Sequence, residues 1–194
     1  MIKINSNMNN EIKLHLGCWS RYIQGFIHID LLDMEHIDYQ CNIDNLSMFE
    51  NDTVSLIYSS HNFEYFDRDK AKEVLKEWRR VLKPKGILRI AVPDFDKLIE
   101  VYQNTGEINN ILGPLFGKMN IKTQKEEIEI YHKTVYNFTS LVKLLNESGF
   151  EDVVKYDWRD SVHRDYDDHS QAYFPHMDKE NGILISLNVE AVKA

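Results

Sequence analysis

The stretch LHLGCWSRYIQGFIHID, residues 14–30, contains two short β-rich runs joined through a glycine turn. A hydrophobic run that ends in Gly17 is typical of a strand after which the chain turns sharply. Such a turn leaves backbone N–H groups free for a ligand at the carboxyl edge of an open α/β sheet. The second run ends in Asp30, where a carboxylate can accept hydrogen bonds from the two hydroxyls of a ribose. A turn glycine or a solvated aspartate would explain either residue alone, but the pair in this order favours a cofactor site.

The spacing within this stretch distinguishes between classes of cofactor. A dinucleotide-binding fingerprint has three glycines and an acidic residue about 20 positions further on. Here Gly17 precedes Asp30 by only 13 positions, so a nicotinamide-dependent oxidoreductase is disfavoured. The connection over residues 18–25 is also shorter than the roughly 10–12 residues of a full crossover. The first crossover helix is therefore predicted to be shortened.

The first half of the chain alternates strand patterns with a helix pattern. The β-rich runs cover residues 12–17, 26–31, 54–59 and 87–92. Between the third and fourth runs, apolar residues recur at helical spacing from Ala71 to Leu82. Asp67 or Asp69 can cap this helix, and the LKPKG segment, residues 82–86, can stop it. A strand, a helix and a strand of these lengths predict a right-handed parallel crossover and hence an α/β architecture.

The middle of the chain is predicted to be rich in helix. This region covers residues 95–149, with an interruption at GPLFG, residues 113–117. Its last helix lies in FTSLVKLLNESGF, where Thr139 or Ser140 can provide the N-cap and Gly149 can close the helix.

Two more strands are predicted near the carboxyl end, at residues 153–158 and 183–192. The polar and aromatic segment between them, residues 159–182, is too long for an ordinary hairpin loop and is predicted to be a functional flap. A chain of 194 residues fits a single domain, residues 1–194, in which residues 1–11 are expected to be flexible.

Composition excludes several classes of protein. No apolar run approaches the roughly 18 residues that a membrane span requires, and the amino-terminal stretch lacks the apolar core of a signal peptide. The two cysteines, Cys18 and Cys41, are too few for a disulfide framework or a Cys-based zinc site, which favours a reducing cytoplasm. With 31 acidic against 23 basic residues the formal charge is −8, so nucleic acid and anionic membrane surfaces are disfavoured as partners.

Several stretches together resemble one enzyme family. They are LHLGCWSRYIQGFIHIDL (14–31), LIYSSHNFEYF (56–66), VLKEWRRVLKPKGILRIAVPDF (74–95), LLNESGF (144–150) and PHMDKENGILISLNVEA (175–191). With these residues the chain resembles the short class I S-adenosylmethionine-dependent methyltransferases, in particular predicted ones of bacterial surface-polysaccharide clusters. The resemblance implies a Rossmann-like three-layer sandwich with a seven-stranded sheet, six strands parallel and the last antiparallel. It also implies S-adenosylmethionine as the cofactor.

The same resemblance implies a role for particular residues. The Gly17 turn would pass the methionine part of the cofactor, and Asp30 would hold the ribose hydroxyls. Asn42 and the backbone of Ile43 would contact the adenine. The segment from Ser59 to His61 would lie beside the methionine and the methyl group. The full set of implied cofactor-binding residues is Gly17, Cys18, Trp19, Asp30, Leu31, Asn42, Ile43, Ser59 and His61.

The chain departs from the family pattern at three positions. Trp19 stands where the family has a second glycine, so it is strained by roughly 1–3 kcal/mol if that position needs a positive φ. Its indole either occludes the pocket, stacks along its mouth, or points outward without consequence. Asn42 replaces an aspartate but can still accept a hydrogen bond from an amine, and Ser55 replaces an aspartate at the start of the fourth run. These departures keep open the alternative of a non-catalytic binding or scaffold protein with a degenerate cofactor site.

Two residues are candidates for catalysis. His61 follows the fourth run and has an unperturbed pKa near 6.5, which suits removal of a proton from an acceptor hydroxyl. Asp94, after the run at 87–92, could orient or deprotonate the acceptor. The simpler roles are bracing a loop for His61 and capping the next helix for Asp94. Glu64 is interpreted as a helix-start carboxylate.

Other histidines suggest an acceptor wall but no metal site. His132 and Tyr136 could line the acceptor, although a buried hydrogen-bonded histidine explains His132 equally well. His163, His169 and His176 lack a compact helical ligand spacing, so no metal is predicted. The leading prediction is O-methylation of a small molecule or a sugar-containing intermediate. The sequence predicts neither the acceptor's identity nor an oligomeric state.

Overall fold

A computed structural model describes residues 11–122 and 127–194 of the chain. The expectation of a flexible start falls almost entirely on residues 1–10, which lie outside the described residues. The strands, in chain order, are β1 (Ile12–Leu16), β2 (Ile27–Asp30), β3 (Tyr39–Gln40), β4 (Val54–Ser60), β5 (Leu82–Pro93), β6 (Met119–Lys122), β7 (Glu127–Ile130), β8 (Phe150–Lys155), β9 (Tyr173–Phe174), β10 (Ile183–Leu184) and β11 (Ser186–Lys193). The α-helices are α1 (Arg68–Val81), α2 (Phe95–Thr105), α3 (Asn109–Phe116) and α4 (Phe138–Glu147).

Seven strands form the main sheet in the order β3-β2-β1-β4-β5-β11-β8. β11 runs antiparallel to both of its neighbours, β5 and β8, and every other pair in this sheet is parallel. The predicted α/β fold, with a mostly parallel seven-stranded sheet and an antiparallel last strand, is therefore confirmed. In the described residues no helix lies between β1 and β2, as the short connection predicted.

The two faces of the sheet have different chemistry. One face carries the main apolar core, in which Leu14 and Leu16 of β1 pack with α1 residues such as Trp78. On the other face, His15 stacks on Tyr58 with ring centroids 5.2 Å apart, and Tyr58 stacks on His163 at 3.8 Å. His163 belongs to the segment predicted as a flap, so this part of residues 159–182 is packed on the sheet. It forms a layer of the fold at the place where a helix would otherwise cover the strands.

Several predicted boundaries were wrong in the middle of the chain. GPLFG does not interrupt a helix, because its first four residues lie in α3 and only Gly117, with φ of 51°, ends that helix. Pro114 is tolerated because it lies two residues from the helix end, where its missing N–H removes a single bond. The stretch after α3 is not helical but forms a β6–β7 hairpin. The alternation of Glu and Ile over residues 127–130 is the period-two signal that predicts a strand.

The last strands also differ from the prediction. The strand expected at 153–158 is β8, which begins three residues earlier, directly after Gly149 with φ of 84° has turned the chain. The strand expected at 183–192 is two strands, because β10 pairs with β9 while β11 joins the main sheet.

The caps were predicted correctly for α1 and wrongly for α4. The Asp67 side chain accepts hydrogen bonds from the backbone N–H groups of Asp69 and Lys70. The N-cap of α4 is Asn137, whose side chain accepts from the backbone N–H of Ser140, while the Asn137 backbone N–H donates to the Ser140 hydroxyl oxygen at 3.0 Å. Ser140 is thus the reciprocal partner of the cap and not the cap itself.

Replacing Asn137 with alanine is expected to lower the free energy of unfolding by about 1 kcal/mol, because the helix loses its capping bond. Thr139→Ala is the matched control, since Thr139 is an exposed first-turn residue that does not cap the helix, and its cost should stay within about 0.5 kcal/mol. Urea denaturation measures both values. Equal losses in the two variants would show that Asn137 is not the cap.

Candidate cofactor site

A cavity of about 240 Å³ opens at the carboxyl ends of β1, β2 and β4, and we call it the cofactor cavity. Parallel strands place their carboxyl ends at the same sheet edge, which is where open α/β sheets bind ligands. The cavity walls include the following residues that the sequence predicted: Gly17, Trp19, Asp30, Leu31, Asn42, Ile43 and His61. The structure therefore brings together residues that are spread over 45 positions of the chain.

Gly17 is required at its position for two reasons. Its φ is 68°, which L-residues other than glycine adopt at a cost. A Cβ at Gly17 would also lie 2.2 Å from Oδ1 of Asn62. Asn62 Nδ2 donates to the carbonyl oxygens of Gly17 at 3.0 Å and Ser60 at 2.7 Å, so its side chain holds the β1 turn against the end of β4. Asn62 was not among the residues predicted from the sequence, although its position just after a predicted strand end was an available signal.

Asp30 fixes the edge of the cavity and keeps free acceptor capacity. Its Oδ2 accepts from the Trp19 backbone N–H at 2.8 Å, and its Oδ1 accepts from the Leu32 backbone N–H at 3.0 Å. An ionised carboxylate has about four acceptor positions, so both oxygens can accept a further hydrogen bond from a ligand. The residue lines the cavity while only 9% exposed.

Trp19 lies at the mouth of the cavity. Its φ is 46°, so the tryptophan occupies the left-handed conformation that glycine adopts readily, at a cost of about 1–3 kcal/mol. The residue is 44% exposed, and the Arg21 guanidinium lies 5.7 Å from the centroid of its ring. The indole therefore borders the cavity without filling it.

The predicted adenine side of the cavity is apolar and is tied to the core. Ile43 lines the cavity and its carbonyl oxygen accepts a hydrogen bond of 2.7 Å from the indole N–H of the buried Trp78. Leu31 and Asn42 complete this wall. Apolar side chains with a few polar groups are the usual lining of a small-molecule site.

Three residues predicted for the site do not line the cofactor cavity. Cys18 is 1% exposed, and burial raises the pKa of its thiol to about 12. Ser59 is fully buried, and its hydroxyl donates to the Leu16 carbonyl oxygen at 3.2 Å. Asp94 accepts from the Asp96 backbone N–H at 3.1 Å as the N-cap of α2, and it borders a different cavity beside Lys97. Burial raises the pKa of Asp94, but it lies away from the candidate cofactor site.

A second cavity, of about 260 Å³, adjoins the first, and we call it the acceptor cavity. The two cavities share His61, Tyr65, Met119 and His169 in their walls. His132, suggested by the sequence as an acceptor wall, lines the acceptor cavity, whereas Tyr136 does not. Met119 comes from the β6–β7 hairpin, which the sequence analysis took for helix, and its role was missed for that reason.

His61 lies at the junction of the two cavities in a constrained conformation. Its φ is 53°, and its Nε2 lies 3.0 Å from the hydroxyl oxygen of Ser186. Its Nδ1 lies 3.6 Å from Oε1 of Glu64, and Nε2 of His132 lies 3.6 Å from the same oxygen. Burial lowers the pKa of both histidines and raises the pKa of Glu64 to about 8. Burial thus favours the neutral forms of the two imidazoles and of the carboxyl group.

Two structural absences apply to the described residues. Within residues 11–122 and 127–194, no helix is long and apolar enough to cross a membrane. In the same part of the chain, no group of three or more His, Cys, Asp or Glu residues is placed to hold a metal ion.

Comparisons with known proteins agree with this geometry. Residues 26–90 match a family model described as a methyltransferase domain. Over 129 residues the chain is 28% identical to a demethylmenaquinone methyltransferase of Staphylococcus epidermidis. The match covers 58% of this chain and 51% of the relative. The chain thus spans about half the length of the curated relative it matches.

Solved structures resemble the whole fold. A SAM-dependent methyltransferase from Archaeoglobus fulgidus matches with a TM-score of 0.54 and 15% identity, covering 94% of this chain and 86% of that one. The 1,6-didemethyltoxoflavin-N1-methyltransferase of Burkholderia thailandensis, solved with S-adenosylhomocysteine bound, matches with a TM-score of 0.53 and 12% identity, covering 94% and 71%. These likenesses confirm the Rossmann-like fold, and together with the family model they support S-adenosylmethionine as the cofactor.

Proposed function

We propose that this chain is an S-adenosylmethionine-dependent methyltransferase that methylates a hydroxyl oxygen of a small molecule or a sugar-containing intermediate. One observation carries the proposal: a cavity with a glycine turn and a strand-end carboxylate adjoins a second cavity, and a histidine lies at their junction. Methyl transfer to a hydroxyl needs the acceptor oxygen in line with the sulfonium methyl group and a nearby group that receives the hydroxyl proton.

The residues of the cofactor cavity fit the proposed cofactor. A side chain at Gly17 would clash with Asn62, which holds the turn beside the proposed methionine position, and Asp30 can accept hydrogen bonds from the ribose hydroxyls. Asn42 and Ile43 would hold the adenine. When bound, the cofactor supplies a methyl group on a positively charged sulfur.

The residues of the acceptor cavity would orient the acceptor and receive its proton. His61 borders both cavities, so its imidazole is placed to take the proton that a hydroxyl loses on methylation. The hairpin residue Met119 and the buried His132 would exclude water from the acceptor. Catalysis would thus depend mainly on positioning, with proton removal by this group.

Calorimetric titration of ligand-free protein with S-adenosylmethionine and S-adenosylhomocysteine tests the proposal. We expect micromolar binding, which corresponds to about −8 kcal/mol, and no binding of NAD. An acceptor screen with sugars, phenols and demethylmenaquinone would follow, the last because of the staphylococcal relative's name. A folded sample that binds neither ligand would contradict the proposal and favour a scaffold protein.

Trp19 favours the second candidate function, a scaffold protein with a degenerate cofactor site, because a strained tryptophan occupies a position suited to glycine. If the site is intact, Trp19→Gly should change the affinity for S-adenosylmethionine by less than about threefold, or roughly 0.6 kcal/mol. The residue is 44% exposed and only borders the cavity, and the Trp19 backbone N–H that donates to Asp30 is retained. Calorimetry measures the affinity, and Trp19→Ala separates loss of the indole from relief of strain. A gain of tenfold or more would instead identify a degenerate site.

A further inference from the structure

At the boundary of the two cavities, a buried carboxyl group faces two imidazole rings. Glu64 is 1% exposed, and neither of its carboxyl oxygens has a hydrogen-bond partner among the described residues. Its Oε1 lies 3.6 Å from Nδ1 of His61 and 3.6 Å from Nε2 of His132. A buried carboxyl group without partners is costly if it is ionised, so the protons on the two rings decide what this group does.

A chain of hydrogen bonds fixes the proton on His61. Asn188 Nδ2 donates to the Ser170 carbonyl oxygen at 2.8 Å, which leaves Asn188 Oδ1 as an acceptor. The Ser186 hydroxyl donates to that Oδ1 at 2.9 Å, so its oxygen can only accept from His61 Nε2, 3.0 Å away. His61 therefore carries its proton on Nε2. Its Nδ1, the atom that faces Glu64, has the lone pair.

A backbone carbonyl fixes the proton on His132. Its Nδ1 lies 2.9 Å from the Pro114 carbonyl oxygen, which can only accept, so Nδ1 carries the proton. Nε2, which faces Glu64, then has the lone pair in the neutral ring. The ring has room because Gly117 has no side chain: a Cβ there would lie 1.9 Å from Nε2 of His132.

Two ring nitrogens that carry lone pairs thus lie 3.6 Å from one carboxyl oxygen. Without a proton among them, the three groups would present only acceptors to one another in a buried place, which is unfavourable. We propose that Glu64, His61 and His132 form a proton-transfer site in which one proton rests on Glu64 between two basic nitrogens. This site would serve acceptors that carry an ionisable hydroxyl.

Among the described residues, no other charged side chain lies within hydrogen-bond distance of the Glu64 carboxyl oxygens. Tyr65 stacks edge-on against His132, with centroids 4.7 Å apart, and its hydroxyl donates to the Gly117 carbonyl oxygen. His169 lies 5.2 Å from the His61 ring, and Arg21 adds a repulsion that lowers the pKa of His61 further. Tyr136, also near Glu64, is buried, and its hydroxyl has no partner among the described residues. Burial raises the pKa of Glu64 to about 8, in keeping with a neutral carboxyl group.

This inference rests on the proposed function for its role in a reaction. When a hydroxyl oxygen becomes methylated, its O–H bond breaks and one proton must leave. That proton would pass to His61 Nδ1 or His132 Nε2, the nitrogens that carry the lone pairs, in rings that border the acceptor cavity. The Glu64 proton meanwhile stays on the carboxyl group, whose Oε1 lies 3.6 Å from the nitrogen of the other ring. Glu64 is thus a positioning residue, since it acts through the two histidines.

Nuclear magnetic resonance of the full chain, labelled with ¹⁵N-histidine and ¹³C-glutamate, tests the proton positions without cofactor or acceptor. Glu64→Gln, His61→Asn and His132→Asn assign the signals. We expect neutral rings at pH 7, His61 protonated on Nε2 and His132 on Nδ1, and a Glu64 carboxyl carbon that titrates near pH 8. A Glu64 signal that titrates below pH 6, or the same tautomer in both rings, would overturn the proposal.

Two further measurements extend the test. Glu64→Gln should change the pH at which the His61 and His132 rings titrate, while Glu35→Gln, an exposed control, should leave both titrations unchanged. Catechol, a small hydroxyl probe added with S-adenosylhomocysteine, should shift the ¹⁵N signals of these two rings but not of His28. Unchanged rings would overturn the hydroxyl assignment. Failure of S-adenosylmethionine binding would contradict the proposed function while leaving the proton positions in place.

Discussion

Replacing Asp30 with asparagine is expected to weaken S-adenosylmethionine binding by a hundredfold or more. Hydrogen bonds to a charged group contribute about 1.5–3 kcal/mol each, and a ribose would donate two of them to this carboxylate. The asparagine amide keeps one acceptor oxygen in place of two. In the wild-type protein each carboxylate oxygen also accepts a backbone N–H, from Trp19 or from Leu32, so the variant loses one of these bonds as well. A loss of about 3 kcal/mol corresponds to a dissociation constant raised more than a hundredfold.

Calorimetry with S-adenosylmethionine and S-adenosylhomocysteine measures this loss. Glu35→Gln is the matched control, because it removes the same charge from an exposed residue of the loop after β2 that does not line the cofactor cavity. Circular dichroism and thermal unfolding must show that Asp30→Asn is folded. If the dissociation constant of the folded variant stays within threefold of the wild-type value, Asp30 does not hold the ribose.

Trp78→Ala should lower the free energy of unfolding by about 3–5 kcal/mol, the usual cost of truncating a large buried aromatic residue. Trp78 is fully buried in the core between α1 and the sheet, with its ring 5.7 Å from that of Phe63. The substitution also removes the indole N–H that donates to the Ile43 carbonyl oxygen. We therefore expect a weaker cofactor affinity as well, because Ile43 is part of the cofactor cavity.

Urea unfolding of the wild-type protein and of Trp78→Ala measures the loss in the free energy of unfolding. Trp158→Ala is the control, since Trp158 is only partly buried and its indole makes a long hydrogen bond of 3.3 Å to the Tyr173 hydroxyl. Its cost should be less than half that of Trp78→Ala. If the free energy of unfolding fell as much in Trp158→Ala as in Trp78→Ala, or more, the core would not depend on the packing of Trp78 from α1.

Local patterns were enough to predict the α/β class and one edge of the site, whereas the seven-stranded sheet was implied by the family resemblance. The run that ends at Gly17 and the run that ends at Asp30 specify a strand, a turn and a strand within 17 residues, and each signal is a property of neighbours in the chain. The helical spacing from Ala71 to Leu82 likewise predicted α1 and its burial. Parallel strands with such connections leave few topologies open, so the sheet edge that holds Gly17 and Asp30 followed.

Other elements were missed where local signals compete. Gly113 and Pro114 predicted a break, but helix α3 continues to Phe116 because the left-handed Gly117 can end it. Thr139 and Asn137 are both acceptable caps by residue type, and only the backbone conformation at the end of the preceding loop selects Asn137. Asp94 and Ser59 stand at strand ends in the sequence, but the directions of their side chains place them outside the cofactor cavity.

The sequence by itself determined the α/β class, the glycine turn and the strand-end carboxylate, because strands, turns and caps depend on residues only a few positions apart. The tertiary structure alone decided that Glu64 meets His132 across 68 positions and that Ser186 fixes the proton on His61. These contacts depend on how α3, the β6–β7 hairpin and β11 pack around the end of β4. Burial then gives the carboxyl and imidazole groups their altered pKa values, and no spacing rule along the chain encodes that burial.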